Sequence, residues 1–137
     1  MLDPNYIVGF VDGEGCFSIT INKHKDKRLP EVRLLFEIEL EESDKEILSR
    51  IVATLGCGRI YQVSYRKHPT WHVHSKLKVS NFKDINEKVI PFFTKYPLQA
   101  KKKIQFMKFC KVSELMKLKC HLDLAGIRDI LSIRNTT

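Results

Sequence analysis

Residues 4–17, PNYIVGFVDGEGCF, constrain this chain more than any other stretch. Asp3 before Pro4 is a helix start: a side-chain acceptor at the N-cap, then a residue whose φ is preset. Ile7, Val8, Phe10 and Val11 make the segment apolar over roughly two to three turns, too short to hold alone in water, so it must pack against something. Gly9 and Gly13 lie four apart, on one face. Each costs roughly 1 kcal/mol of helix stability relative to alanine, and a bare backbone face of this kind suits close approach to another helix. From Phe17 the period becomes two, with Phe17, Ile19 and Ile21 alternating with Ser18, Thr20 and Asn22, the pattern of a half-buried strand. Asp12 and Glu14 therefore sit where a packed helix hands over to a strand. On pattern alone, two acids at a helix end are more often solvated than catalytic.

The rest of the chain supplies what that helix needs. The first strand runs to about His24, and a charged turn from Lys25 to Pro30 leads to a second strand from about Glu31 to Leu40. There Val32, Leu34, Phe36, Ile38 and Leu40 form one face and Glu31, Arg33, Leu35, Glu37 and Glu39 the other, an antiparallel hairpin with one wet side. Ser43 is placed to cap the next helix, with Glu46 in the capping-box position, and Gly56 to stop it. A second strand pair is expected over Arg59–Arg66 and Trp71–Val79. In its first strand Tyr61, Val63 and Tyr65 could face either the core or a ligand; in its second, His72, His74, Lys76 and Lys78 share the polar face. Helices are expected from Asn81 to Phe93, from about Leu98 to Leu118 after Pro97, and from Leu124 to Ile133 behind an Asp123 cap.

The 137 residues match one ordinary domain. No apolar run approaches the roughly 20 residues of a membrane span, and the N-terminus does not read as a signal peptide. Cys16, Cys57, Cys110 and Cys120 form no CxxC pair and read as reduced packing residues of an intracellular protein, not as a zinc site. The net charge of +8 favours a polyanion, nucleic acid before an anionic membrane. No phosphate loop or nucleophile motif points to small-molecule chemistry. His72 and His74 lie on one side of a strand, but no third ligand is in sequence reach, so base or phosphate contact is the better expectation.

From Ile7 to Gly15, IVGFVDGEG resembles, position by position, the motif of the LAGLIDADG homing endonucleases. FEIELEESDKEILSRIVATLGCGRIY resembles the family's second strand, helix and third strand, and PFFTKYPLQAKKKIQF and HLDLAGIRDILSIRN its C-terminal helices. The likeness covers nearly the whole chain. It implies an α+β fold of order αββαββα, a curved four-stranded antiparallel sheet with helices on one face, as a single domain over residues 1–137. It further implies that Glu14 binds the divalent metal, Mg²⁺ or another divalent cation, and that Asp12 is structural, satisfying backbone at a helix interface through which two motif helices pack by way of Gly9 and Gly13. A lysine near the scissile phosphate falls in PLQAKKKIQF. Lys101 is favoured there, with Lys102 and Lys103 left open.

One copy of the motif is present, so the second is expected from a homodimer. A strand of ten residues spans roughly 33 Å, about one turn of B-DNA, and mixed polar side chains on a curved sheet can read base edges in the major groove. The DNA-contacting set expected is Ser18, Thr20, Asn22, His24, Arg33, Glu37, Arg59, Tyr61, Arg66, His72, His74, Lys76 and Lys78. The expected function is a site-specific, metal-dependent endonuclease cutting double-stranded DNA at a pseudo-palindromic target, intron-encoded and residing in an organelle or a prokaryotic cytoplasm. The alternative is a DNA- or RNA-binding relative without cleavage, a maturase or regulator. One departure keeps it open: where the family often has a polar, water-positioning residue at the end of the second strand, this chain aligns Leu40, with Glu39 and Glu41 beside it.

Overall fold

A computed structural model describes residues 1–64 and 73–136. Helix α1 (Pro4–Glu14) begins as expected, with the Asp3 carboxylate accepting the backbone N–H of Asn5 at 2.8 Å. It ends in Gly15, whose N–H donates to the carbonyl of Val11. The chain turns there at once into β1 (Gly15–Asn22), then β2 (Glu31–Glu41), α2 (Lys45–Leu55), β3 (Arg59–Val63) and β4 (His74–Val79). A helical stretch over 82–95 follows, here α3, then α4 (Lys102–Lys117) and α5 (Leu124–Asn135). The four strands among the described residues form one antiparallel sheet in the order β1-β2-β4-β3.

Helices cover one face of that sheet. Val32, Leu34, Phe36 and Ile38 of β2 and Leu77 and Val79 of β4 point into the core with Ile7, Val8 and Val11 of α1. Phe17 is the hub: its ring centroid lies 5.0 Å from Phe36, 5.6 Å from Phe93, 5.2 Å from Phe106 and 5.3 Å from Phe109. Such aromatic contacts add about 0.5–1.5 kcal/mol each beyond the area they bury. Phe17 thus ties the strand that leaves α1 to β2, α3 and α4 within two residues of Gly15.

Several element boundaries differ from the sequence expectation, each for a local reason. Ser43 caps nothing. The Glu42 N–H donates to the carbonyl of Val73, and Glu42–Asp44 tighten into a 3₁₀ turn, so α2 starts at Lys45 without a side-chain cap. Its end is as read: Gly56, at φ 79°, returns its N–H to Val52. In α3 the Asn81 side chain caps Asp84, and Ile85–Val89 widen into a π turn directly before Pro91, whose ring lacks an N–H and crowds the preceding turn. Helix α4 starts at Lys102 rather than near Leu98, because Leu98 is buried in the connection. The cap of α5 is as read, with Asp123 accepting from Gly126 at 2.7 Å. Strand β1 begins two residues earlier than expected and stops at Asn22, which leaves His24 in the turn. Tyr65, Arg66, His68, Trp71 and His72 lie outside the described residues.

Candidate functional site

The helix-to-strand switch at residue 15 shapes the site. A Cβ on Gly15 would come 2.6 Å from Val11 Cγ1 and 3.0 Å from the Val11 carbonyl oxygen. Only glycine lets the chain leave α1 this abruptly, and the result is that Glu14, the last helical residue, is exposed at the lip of the sheet. Among the described residues its carboxylate has no hydrogen-bond or ion-pair partner, so its oxygens are available to a ligand. Asp12, two residues earlier and so on nearly the opposite side of the helix, is engaged. Its carboxylate accepts the backbone N–H of Gln99 at 3.0 Å and of Ala100 at 3.2 Å. Within its own chain Asp12, expected at a helix interface between two copies, clamps the connection that leads into α4.

That clamp delivers the lysine run to the site. Lys101 and Lys103 are exposed, whereas Lys102 is half-buried and its Nζ donates to the carbonyl oxygen of Gly15 at 2.5 Å. Of the three lysines, Lys102 is the one whose ammonium reaches the residue that follows Glu14, while Lys101, the favoured one, stands exposed at the start of the helix. Lys101 precedes the helix, and the Asp12 clamp sets the phase of the first turn so that the next side chain points inward.

Gly9 and Gly13 lie on the outer side of α1. A Cβ at either meets nothing within 4 Å. With Tyr6, which is 50% exposed, and half-buried Phe10 (ring centroids 6.1 Å apart), they form a stripe opposite Ile7, Val8 and Val11. Among the described residues no neighbour requires these glycines.

The open face of the sheet begins next to Glu14. Register assigns to it Cys16, Ser18, Thr20 and Asn22 of β1, Glu31, Arg33, Leu35, Glu37, Glu39 and Glu41 of β2, His74, Lys76 and Lys78 of β4, and Arg59, Tyr61 and Val63 of β3. The ambiguous strand is resolved: Tyr61 pairs with Lys76 and is 46% exposed, while Ile60 pairs with buried Leu77. Cys16 is exposed on this face and is not a packing residue, unlike buried Cys57. Leu40 pairs with buried Ser75 and packs against the core, so Glu39 and Glu41 are its neighbours over the groove.

Charges on this face are largely matched along β2. Lys76 reaches Glu37 at 3.1 Å and Glu39 at 3.6 Å, and His74 Nδ1 lies 3.2 Å from Glu39. At the far end Glu31 receives Arg33 at 2.7 Å and His24 at 2.8 Å. The Arg33 guanidinium, with His24 and Lys27, holds the Glu31 carboxyl below the usual carboxylate range. Ion pairs that still reach solvent, as these half-buried ones do, contribute only on the order of 1 kcal/mol or less, so they pre-set side-chain directions yet exchange for groups on a ligand. Among the described residues no cluster of three or more His, Cys, Asp or Glu side chains could enclose a metal ion, and no helix is long and apolar enough to cross a membrane.

Residues 7–113 match the family model described as LAGLIDADG endonuclease. "Probable intron-encoded endonuclease 3" of Neurospora crassa is 33% identical over 94% of this chain, which spans only 23% of that relative's length. Among solved structures, the meganuclease I-SmaMI bound to uncleaveable DNA superposes with a TM-score of 0.91 at 28% identity, over 100% of this chain and 45% of that one. I-SmaMI is also known bound to its uncleaved DNA target in the presence of calcium ions. The homing endonuclease I-TnaI superposes with a TM-score of 0.86 at 30% identity, over 98% of this chain and 89% of its own. With the motif helix, the hairpin order and the open sheet all in register, the chain belongs to the LAGLIDADG endonuclease family.

Proposed function

We propose that this chain forms half of a metal-dependent, site-specific DNA endonuclease, and that a second copy of the same chain completes it. The observation that carries the reading is the position of Glu14. It is exposed and, among the described residues, unpartnered at the point where the glycine stripe of α1 meets the polar face of the sheet. Packing of two such stripes across a two-fold axis brings the two Glu14 carboxylates together at the floor of a DNA groove. Two carboxylates so close repel each other unless a cation lies between them. The donor set suits Mg²⁺, which takes one or two carboxylates and completes its shell with water and substrate phosphate. The ion, when bound, activates water and stabilises the leaving oxygen. The calcium-containing complex of I-SmaMI supports divalent-ion use.

The chain's own residues do the rest. Glu14 would hold the ion. Lys102 sets a positive charge beside it. The open face orients the duplex, with Arg and Lys suited to guanine, Asn to adenine and carboxylates to cytosine. The two-fold axis gives each subunit one strand and makes the target pseudo-palindromic. I-TnaI, a relative of nearly the same length, supports the homodimer, and the name of the Neurospora relative supports an intron-encoded origin.

A second reading, binding without cutting, draws on Leu40, which packs inward and leaves no neutral polar side chain there to orient water. One assay separates the two. A plasmid library of candidate sites is incubated with Mg²⁺ and then with EDTA. Metal-dependent double-strand breaks are expected, abolished by Glu14→Gln while the gel shift persists. A shift with no breaks in the wild type leaves only the binding reading, and full cleavage by the variant removes Glu14 from the chemistry.

A further inference from the structure

The open face is not uniformly charged. Along β2 the carboxylates of Glu31, Glu37 and Glu39 engage Arg33, His24, His74 and Lys76. Arg59 and Lys78 are different. They are direct partners across the β3–β4 rung, both on the open side, and among the described residues neither has a carboxylate within ion-pair distance. Both line a polar cleft of about 370 Å³ at the β3 edge of the sheet, together with Tyr61, Ser80, Asn81 and Asp84.

We infer that this cleft grips a backbone phosphodiester of the duplex, with Arg59 and Lys78 as its cationic walls. The inference rests on the reading that the sheet binds DNA, and it divides that face into two tasks. When a duplex lies along a sheet, base edges face the central strands and the phosphate backbone runs over the rim, and phosphate contacts set position while base contacts set sequence. The central strands β2 and β4 carry the mutually paired, direction-set side chains suited to base edges. The unmatched cations sit at one corner of the face, Arg59 at the start of edge strand β3 and Lys78 opposite it near the C-terminal end of β4. Asp84 tunes the cleft: two cations and one carboxylate leave a single positive charge, which matches the single negative charge of a phosphodiester. Asn81 already accepts the Asp84 N–H at 3.1 Å through its side-chain oxygen, so its NH₂ group remains to donate, as do the hydroxyls of Tyr61 and Ser80.

The test is a salt titration of affinity on a random-sequence duplex and on the best sequence selected by the wild type. Arg59→Gln, Lys78→Gln and the double variant are compared, with thermal melts to verify folding. For one phosphate held jointly, the slope of log K against log salt should become shallower by about 0.9 in the double variant. The two single losses should not add, and both duplexes should weaken by the same factor while the selected sequence stays unchanged. A wild-type slope in the double variant, or a loss confined to the selected sequence, overturns the inference and leaves the nuclease reading standing. A wild type with no salt-dependent duplex binding overturns both.

Discussion

The ammonium of Lys102 donates to the carbonyl oxygen of Gly15, the residue that follows Glu14. A contact between residues 87 positions apart in sequence therefore sets a positive charge next to the acid on which the chemistry is proposed to turn. Lys102→Met should lower cleavage on the order of 100-fold, the scale seen when one preorganised group that stabilises developing charge is removed. Lys101→Met should change it by less than about tenfold, because that side chain points to solvent. Single-turnover cleavage at saturating protein checks the pair. Equal losses would mean that the run acts only as a diffuse positive patch.

The Asp12 clamp on Gln99 and Ala100 makes a separable prediction. Asp12→Ala leaves two backbone N–H groups without their charged acceptor, a cost of about 1–3 kcal/mol. Urea unfolding should register that loss, and cleavage should fall with it, because Lys102 loses its fixed approach. Unchanged stability would show that water replaces the carboxylate at no cost.

Gly9 and Gly13 face open space, so larger side chains there fit the isolated subunit. Gly13→Leu should leave the melting temperature of the isolated subunit nearly intact, with the better helix propensity of leucine adding about 0.5–1 kcal/mol of local helix stability. Sedimentation velocity should show the variant shifted from dimer to monomer. A variant that dimerises like the wild type would place the interface elsewhere.

Phe17 touches aromatic rings from three other elements and is 5% exposed. Phe17→Ala should cost about 3–5 kcal/mol, the range for a large ring removed from a packed core. That is a large share of the 5–15 kcal/mol typical of a whole domain. Chemical denaturation reads the loss directly.

Thiol reactivity should separate the cysteines. Burial raises the Cys110 thiol to about 11 and also lifts that of Cys57. The thiolate is the nucleophile, so both stay protonated and slow at pH 8. For these groups the folded state disfavours the thiolate. Folding stability should therefore hold below the ordinary thiol range and decline as the pH rises through it. Alkylation with iodoacetamide at pH 8, followed by mass spectrometry, should label exposed Cys16 first. Faster labelling of Cys110 would contradict its burial.

Much of this arrangement is legible in local patterns. Asp3-Pro4, the switch from helical to alternating periodicity after Gly15, the β1–β2 hairpin, the Gly56 stop and the Asp123 cap each depend on residues a few positions apart. Their physics is local, and each of these elements forms, with the ends of β1 displaced by two residues. The Ser43 capping box is as local and did not form, because a backbone bond from Glu42 to Val73, thirty-one residues on, held the chain in a tight turn instead.

The glycine stripe and the polar faces of the strands follow from the sequence by itself, since a helix face and a strand face are set by spacing alone; Glu14 stood out from Asp12 through the family motif and not through spacing. Which lysine approaches Glu14, which side of β3 meets solvent, where Asp12 spends its carboxylate and which face cations lack partners were decided only in three dimensions. Each of those depends on register between strands or on the rotation of one helix against another. Such choices are set by packing and by hydrogen bonds between distant segments, to which no local pattern is sensitive.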